Sequence, residues 1–363
     1  MEDKANAIPP TGKTDELVAL VRPNIAALKP YSSARHEFAG TADVFLDANE
    51  NPFERTTNRY PDPLAVAVKA QLSSQKGIPS EQIMLANGSD EVIDLLFRIF
   101  CEPDQDEVIT LPPTYGMYRV SADINNVKVK EVPLLTGFVP DVEGILAAVT
   151  PQTKLLWLCS PNNPSGNDFS PEEIIQLLEA FPGIVIIDEA YVDFAERASH
   201  INLLERFPRL VIMQTFSKAW GMAGIRMGMA FASTQIIQLL NAVKPPYNVN
   251  VLSQQAALEA LQNKLVKEEQ VATILAERQS LSKSLSAFSF VEKVYPSQTN
   301  FLLVQVDYPR ELYAYLSSKG IVVRDRSKQL NCEGCLRFTV GTPAENKQLL
   351  ESLVEYGEVR SEG

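Results

Sequence analysis

The order of short apolar segments and amphipathic segments is the feature that most constrains the fold of this 363-residue chain. Short apolar runs, each suited to one buried strand, are separated by stretches with helical spacing such as Asp90–Cys101 and Pro171–Ala180. Alternation of strand and helix requires crossover connections and favours a mostly parallel sheet, so we predict an α/β domain. The predicted strands are Ile83–Ala86, Val108–Leu111, Leu155–Cys159, Ile184–Ile187, Leu210–Gln214 and Met227–Ala232.

A different pattern begins near residue 250 and predicts a second, smaller α+β domain. The expected organisation is an N-terminal arm over 1–45, with a short helix near Asp15–Leu20, a large domain over 46–252 and a small domain over 253–363. The small domain begins with a long helical pattern over Ser253–Phe288. Its predicted strands are Val291–Tyr295, Phe301–Val306, Ile321–Arg324 and Leu336–Val340, and its later helices are Arg310–Lys319 and Ala344–Glu355.

Charge and composition narrow the classes of function. With 33 Lys and Arg against 45 Asp and Glu, the formal net charge of −12 argues against nucleic acid or a membrane surface as a partner. No apolar run approaches the roughly 18 residues that span a bilayer, and the polar start lacks the layout of a secretion signal, so we expect a cytosolic protein. His36, His200 and the lone Cys332–Cys335 pair cannot complete a zinc site, which predicts reduced structural thiols and no metal.

Polar loops follow several of the predicted strands, at the edge of the sheet where α/β proteins bind ligands. Asn87-Gly-Ser-Asp-Glu91 follows a strand and begins a helix, whose free N–H groups and dipole suit an anion such as phosphate. An ordinary helix N-cap has the same sequence pattern, so this segment alone does not establish a phosphate-binding site. Cys159-Ser-Pro-Asn-Asn-Pro-Ser-Gly166 ends another strand with a rigid polar turn.

Three charged residues beside these strands predict a specific chemistry. Asp188 directly follows four apolar residues, so its carboxylate is expected to be buried and to need a cation, such as a protonated ring nitrogen. Lys218 lies among apolar and small residues, where loss of hydration lowers the pKa of its amine and favours a nucleophile or an imine. Arg226 adds a guanidinium suited to phosphate. Together these are the requirements of pyridoxal phosphate, which forms a Schiff base with a lysine.

The same residues lie in motifs that resemble those of the class I and II, fold-type I aminotransferases. These motifs are Asn49-Glu-Asn-Pro-Phe53, Pro113-Thr-Tyr115, Ser160-Pro-Asn-Asn-Pro164, Asp188-Glu-Ala-Tyr191 and Ser217-Lys-Ala-Trp-Gly-Met-Ala-Gly-Ile-Arg226. Within that family the chain is most similar to the histidinol-phosphate aminotransferases, through Pro30-Tyr-Ser-Ser-Ala-Arg35, Asn58-Arg-Tyr-Pro61, Pro246-Tyr-Asn-Val-Asn250, Gly320-Ile-Val-Val-Arg324 and Leu336-Arg-Phe-Thr-Val-Gly341. The resemblance extends from about residue 17 to 350 and implies a large domain that binds pyridoxal phosphate.

The resemblance implies a role for each residue that would contact the cofactor. Lys218 would bond to it and move the substrate α-proton, and Asp188 would pair with the ring nitrogen. Asn163 and Tyr191 would hydrogen-bond the ring 3′ oxygen, and Tyr115 would stack on the ring. The phosphate would be held by Ser89, Asp90, Ser217 and Arg226.

The resemblance also implies the partners and the reaction. The chain would form a homodimer in which Tyr60 reaches the phosphate of the partner subunit's cofactor. The substrate would be bound by Tyr31, Asn163, Arg324 and Arg337, with the tyrosine and the arginines at its anionic end. The implied activity is transamination of histidinol phosphate with 2-oxoglutarate, which gives imidazole-acetol phosphate and glutamate.

Other activities of the same fold stay open at this point. An aromatic-amino-acid aminotransferase or a threonine-phosphate decarboxylase would also fit, because an arginine pair binds carboxylate and phosphate alike. A ligand-sensing protein without turnover is a third possibility. Such proteins usually add a DNA-binding module, and the sequence leaves no basic helix-turn-helix segment for one.

Overall fold

The computed structural model describes residues 17–30 and 43–362, and their strands form two sheets. The first sheet contains β1 (Ile83–Ala86), β2 (Glu107–Thr110), β3 (Lys128–Glu131), β4 (Thr153–Cys159), β5 (Ile184–Asp188), β6 (Leu210–Thr215) and β7 (Gly228–Ala232), in the spatial order β1-β7-β6-β5-β4-β2-β3. The second contains β8 (Val291–Val294), β9 (Phe301–Val306), β10 (Arg324–Asp325) and β11 (Cys335–Thr339), in the order β10-β11-β9-β8.

Helices alternate with these strands along the chain. They are α1 (Pro23–Ala26), α2 (Val66–Lys76), α3 (Ser89–Phe100), α4 (Met117–Ile124), α5 (Val142–Ala147), α6 (Pro171–Ala180), α7 (Thr234–Val243), α8 (Val251–Gln262), α9 (Lys264–Leu285), α10 (Pro309–Ser318) and α11 (Pro343–Glu362). Short 3-10 turns cover Ser80–Gln82, Val192–Phe194, His200–Leu203 and Ala223–Ile225. Within the described ranges, no helix combines the length and apolar character needed to cross a membrane.

The first sheet confirms the predicted mostly parallel α/β architecture. Strands β2 to β6 pair in parallel, and β7 runs antiparallel to both of its neighbours. The carboxyl ends of β4, β5 and β6 therefore meet at one edge of the sheet. The outer strand β3 is polar, with the sequence Lys-Val-Lys-Glu, and for that reason no apolar run predicts it.

Both faces of the first sheet are covered, which explains why its central strands are almost entirely apolar. Along β4, Leu155 and Trp157 belong to one buried cluster, whereas Leu156 and Leu158 belong to another. Since successive side chains of a strand point to opposite faces, the two clusters lie on the two sides of the sheet. All four side chains are fully buried.

Three boundaries in the C-terminal part differ from the prediction, and one of them is the end of α11, which lies at Glu362 and not at the predicted Glu355. The helical pattern over Ser253–Phe288 is two helices, because the chain leaves helical geometry at Asn263, between α8 and α9. The strand predicted over Ile321–Arg324 begins only at its last residue. The reason is that the Ile321 N–H donates to the Leu316 carbonyl, 2.9 Å away, and so closes the end of α10 after Gly320 in the left-handed region.

A buried ionic network centred on Glu189 connects the residue that follows β5 to Arg197, His200 and Gln214. The Glu189 side chain is fully buried, and its carboxylate accepts from the Arg197 guanidinium at 3.1 Å, the His200 backbone N–H at 2.9 Å and the Gln214 amide at 2.9 Å. Burial alone would raise the pKa of Glu189, but the contacts with His200, Arg197 and Ser199 outweigh it and hold the pKa at about 2. The ionised carboxylate is therefore a structural part of the fold.

We expect Glu189→Gln to lower the free energy of unfolding by about 3–5 kcal/mol at pH 7, because it removes the buried negative charge that Arg197, His200 and Ser199 share, although Arg197 keeps its ion pair with Asp168. A carboxyl group whose pKa is lower in the folded protein stabilises it above the unfolded-state pKa near 4.5, and that contribution disappears as the pH falls towards 2. The stability gap between wild type and variant, measured by urea unfolding, should therefore shrink between pH 4.5 and 2.

Glu179→Gln provides the matched control for this prediction. Glu179 pairs with Arg206 on the surface, where both side chains are more than half exposed. Its removal should change the unfolding free energy by less than about 1 kcal/mol. Equal effects of the two substitutions would contradict a structural role for the buried network.

Candidate active site

The carboxyl-end edge of the first sheet collects most of the residues that the sequence singles out. Asn163 follows β4, Asp188 ends β5, and Lys218 follows β6. Ser89 begins α3 directly after β1, and Arg226 precedes β7. Because these strands are neighbours in the sheet, segments far apart in the chain line one site.

Asp188 is the most deeply buried acid of this site, with 4% of its surface exposed. Its carboxylate accepts from the Tyr118 hydroxyl at 2.7 Å and from the Ala190 N–H at 3.1 Å. No ion pair joins it to a described basic residue. Burial, opposed by these hydrogen bonds, raises its pKa to about 6. A carboxyl group in this state is stabilised by a cation placed against it.

Tyr118 positions Asp188, although sequence patterns do not single it out. It lies on α4 and is fully buried, with its ring stacked on Trp157 at 4.8 Å between centroids. Trp157 stacks in turn on Phe97 of α3 at 5.5 Å. This aromatic column fixes the hydroxyl that donates to Asp188. A tyrosine known to be buried could have been predicted to donate to a buried acceptor such as Asp188. The residues around Met117-Tyr118, however, do not show a pattern that predicts burial of Tyr118.

Lys218 is the residue whose amine the sequence predicts to have a lowered pKa and to act as a nucleophile. Its side chain remains accessible to solvent, and its Nζ lies 5.7 Å from the centre of the Tyr191 ring. The protein around the ammonium lowers its pKa, chiefly through burial and then through the charge of Arg337, while Asp188 and Asp90 act in the opposite direction. The lowered pKa favours a neutral, nucleophilic amine that solvent and ligands can reach.

The start of α3 and Arg226 form a cradle for an anion. Gly88 has a φ of 78°, and a Cβ added there would lie 2.8 Å from the Arg226 guanidinium, so the arginine occupies the space beside the glycine. Gly228 allows β7 to approach equally closely, since its Cβ would lie 2.3 Å from the Ser89 nitrogen. Backbone N–H groups and a guanidinium thus converge at the N-terminus of a 12-residue helix.

The side chains around the cradle leave the helix N–H groups available. No side chain caps α3, and the Asp90 carboxylate instead accepts from the Tyr115 hydroxyl at 3.0 Å. Asp90 also lies 3.8 Å from the Arg226 guanidinium. Ser217, at the facing loop, is half-buried and its N–H donates to Thr215. The ordinary side-chain cap that the sequence left open as an alternative for this segment is therefore not present among the described residues.

Arginines from the second sheet complete the opposite side of the site. Arg337 of β11 is half-buried, donates to the Asn163 side-chain oxygen, and lies 5.0 Å from the Phe301 ring. The same ring packs perpendicular to the Tyr191 ring, at 5.3 Å between centroids. Arg324 of β10 pairs with Arg337 across the two strands and is exposed. The two sheets thus meet at this site.

Two predicted residues are not placed at this site. Tyr60 is half exposed and stacks on Tyr247 at 4.5 Å between centroids, and no hydrogen bond or ring contact joins it to the described residues around Lys218 of its own chain. Tyr31 lies outside the described residues. A further arginine, Arg326, lies beside Arg324 and Arg337 without having been singled out by the sequence patterns.

The geometry fits pyridoxal phosphate on three independent points. The buried carboxyl group of Asp188 needs a cation, and a protonated pyridine nitrogen is one. The cradle at Gly88 and Arg226 has the donors that a phosphate requires. The amine of Lys218 is accessible and has a lowered pKa, as attack on an aldehyde requires.

Comparison with known proteins agrees with this geometry. The sequence profile of the family "Aminotransferase class I and II" matches residues 38–353. The histidinol-phosphate aminotransferase of Christiangramia forsetii is 54% identical to this chain, over 93% of this chain and 97% of the relative. That of Cytophaga hutchinsonii is 52% identical, over 94% of this chain and 99% of the relative. The crystal structure of the Sinorhizobium meliloti histidinol-phosphate aminotransferase, solved with pyridoxal 5′-phosphate, superposes with a TM-score of 0.77 at 25% identity, over 86% of this chain and 90% of that one.

A profile match over most of the chain, together with relatives more than half identical over almost their full length, is enough to assign the family. The cofactor of that family, pyridoxal 5′-phosphate, is the one that the site fits. The chain belongs to the class I and II aminotransferases and, within them, to the histidinol-phosphate aminotransferases.

Proposed function

We propose that this chain transfers the amino group of histidinol phosphate to 2-oxoglutarate, which gives imidazole-acetol phosphate and glutamate. The observation that carries the proposal is the arginine pair of β10 and β11 beside the lysine. Arg324 and Arg337 face each other across the strands, and Arg337 is close enough to Lys218 to lower its pKa. Both amino-group donors of this reaction, histidinol phosphate and glutamate, carry an anionic end that such a pair can bind. The names of the relatives support the same substrate.

The residues of this chain divide the binding of the cofactor among them. Asp188 would hold the ring nitrogen in its protonated state. Asn163 accepts from Arg337 through its side-chain oxygen, which leaves its amide N–H groups for the ring oxygen, together with the Tyr191 hydroxyl. Tyr115, held by Asp90, would cover the ring. The phosphate would be held by Ser89, Asp90, Ser217 and Arg226.

Lys218 has two tasks in this mechanism. When bound, pyridoxal phosphate supplies an electron sink that accepts the electrons of the substrate Cα–H bond. Lys218 would hold the cofactor in the absence of substrate, and its free Nζ would take the proton from the substrate Cα. Its lowered pKa favours the neutral amine that this step requires. Arg324 and Arg337 orient the substrate so that the Cα–H bond faces Nζ.

We further propose a cytosolic homodimer whose chain divides into the arm over 1–45 and the domains over 46–252 and 253–363. The separate hydrophobic cluster around β9 and β11, which includes Leu302, Leu336 and Leu353, supports the smaller domain. The four cysteines are unpaired, which suits a reducing compartment. Burial raises the pKa of both Cys332 and Cys335 to about 12, so their thiols stay protonated and structural.

The choice among sibling activities can be tested with a panel of amino donors. Histidinol phosphate, phenylalanine, tyrosine and threonine phosphate would each be offered with 2-oxoglutarate, and keto product, glutamate and carbon dioxide measured. We expect kcat/KM for histidinol phosphate to exceed that for either aromatic amino acid by at least about 100-fold, because an aromatic amino acid offers the arginines a carboxylate with one charge, whereas histidinol phosphate offers a phosphate with a charge of about −1.5 to −2. An aromatic amino acid as the best donor, or carbon dioxide from threonine phosphate, would contradict the proposal.

Two lysine variants show whether the panel reports chemistry at the proposed site. Lys218→Ala should abolish turnover of every donor. Lys267→Ala is the matched control, since Lys267 also lies near this loop, 5.0 Å from the Trp220 ring, but is paired with Asp193 at 2.9 Å. It should retain turnover of the best donor.

The role of Tyr60 predicts that two inactive variants complement each other. If Tyr60 completes the partner's site, a mixed dimer of Tyr60→Ala and Lys218→Ala chains has one site with both defects and one with neither. After the two are unfolded and refolded together in equal amounts, activity should return to about a quarter of the wild-type value, since half of the dimers are mixed and half of their sites are intact.

The matched control mixes Lys218→Ala with Asp188→Asn. Both residues lie in the same site of one chain, so each site of a mixed dimer keeps one defect and activity should stay absent. If the Tyr60 mixture also stays inactive although mass measurements show mixed dimers, Tyr60 does not act across the interface.

A further inference from the structure

Arg326 is a basic residue whose side chain has no partner within the described ranges. It is half-buried, and its Nε is buried without a hydrogen-bond partner. No described carboxylate lies within ion-pair distance of its guanidinium. Arginine side chains that are partly buried normally find an acid or a carbonyl, because desolvation of the charge is otherwise uncompensated.

The strand register places Arg326 on the same face as the two arginines of the proposed substrate site. Arg324 lies opposite Arg337, and the Arg326 N–H donates to the Cys335 carbonyl at 2.9 Å, which continues the same antiparallel pairing. Side chains two residues apart on a strand share a face, and directly paired residues share it too. Arg324, Arg326 and Arg337 therefore project towards one region.

The three guanidinium groups influence one another and the active-site tyrosine. Burial, followed by the charges of Arg337 and Arg324, lowers the pKa of Arg326 to about 10. Arg326 and Arg337 both act on the ionisation of Tyr191. Three cations in one region, in a chain whose net charge is −12, repel one another unless an anion binds among them. Such an arrangement has a cost in stability, and bound anionic substrate would offset it.

We propose that Arg326 is a third arginine of the substrate site and that it selects a phosphate monoester over a carboxylate. The proposal rests on the function proposed above and deepens it. A phosphate monoester carries a charge of about −1.5 to −2 near neutral pH and three acceptor oxygens, whereas a carboxylate carries one charge and two oxygens. Arg337 already donates to Asn163, and Arg324 and Arg337 together suffice for a carboxylate. The additional guanidinium matches the additional charge and oxygen of the phosphate.

The test compares Arg326→Gln with wild-type holoenzyme in two half-reactions, with histidinol phosphate and with glutamate as amino donor. We expect kcat/KM for histidinol phosphate to fall by about 10- to 100-fold, and that for glutamate by less than about threefold. Arg326→Lys, which keeps the charge but loses the planar fork, should lie between wild type and Arg326→Gln. Lys328→Gln is the matched control: it removes one exposed positive charge from the same loop and should leave the ratio unchanged.

Inorganic phosphate provides a second measurement that does not depend on the identity of the donor. As a competitor of glutamate, it should bind at least about tenfold more weakly to Arg326→Gln than to wild type. If wild type does not use histidinol phosphate, the proposed function fails, and the phosphate measurement still decides the role of Arg326.

An equal loss with histidinol phosphate and glutamate, or no loss at all, would overturn the proposal and make Arg326 a structural residue of the loop. Visible absorbance of the bound cofactor should be the same in wild type and variants, and the melting temperature of Arg326→Gln should not be lower than that of wild type, because one of three repelling charges is removed. If Arg326→Gln does not fold, Arg326→Lys decides, and absence of a selective loss in that variant overturns the proposal equally.

Discussion

The buried carboxyl group of Asp188 is the constraint on which the rest of the site depends. It lies at the end of a central strand, where hydration is lost and, among the described residues, two hydrogen bonds from Tyr118 and Ala190 replace it. Burial therefore raises its pKa to about 6. A cation placed against such a group stabilises its charged form, and a protonated pyridine nitrogen is the cation that the cofactor of this family supplies. The aromatic column under Tyr118 holds the geometry in place before the cofactor arrives.

The neighbouring acid, Glu189, is also buried, but its pKa is lowered and not raised. Asp188 and Glu189 are consecutive and both almost fully buried, but an extended chain directs consecutive side chains to opposite sides. Glu189 meets Arg197, His200 and Gln214, and its pKa is held at about 2. One acid is thus satisfied by the protein and stabilises the fold. Asp188 has no described cationic partner, and the free-energy cost of burying its carboxylate is offset only when a cationic ligand binds beside it.

Sequence reasoning succeeded where a local pattern decides the structure. Buried central strands such as β4 and β5 are continuous apolar runs, so their positions and the loops after them could be predicted, and with them Asp188 and Lys218. The outer strand β3 is polar and gives no such pattern. The start of β10 depends on where α10 ends. That end is set by the hydrogen bond from the Ile321 N–H to the Leu316 carbonyl, five residues earlier.

Two features of the site, the contact made by Tyr118 and the proposed role of Tyr60, depend on segments that are distant in the chain or belong to another chain. Tyr118 reaches Asp188 across 70 residues of chain, and nothing around it in sequence indicates the hydrogen bond. Arg326 could have been found if the predicted strand had been extended past Arg324, because a residue two positions further along an extended chain shares the face of Arg324. The proposed role of Tyr60 depends on a second chain, which no pattern within one chain can place.

The central claim is that Asp188 keeps the ring nitrogen of the bound cofactor protonated. The direct measurement is the ¹⁵N chemical shift of ring-labelled pyridoxal phosphate in the holoenzyme at about pH 8, where an acid with a pKa of about 6 is ionised. We expect the shift of a protonated pyridine nitrogen in wild type and that of an unprotonated one in Asp188→Asn, which cannot balance the charge. An unprotonated nitrogen in the wild-type enzyme would contradict the claim.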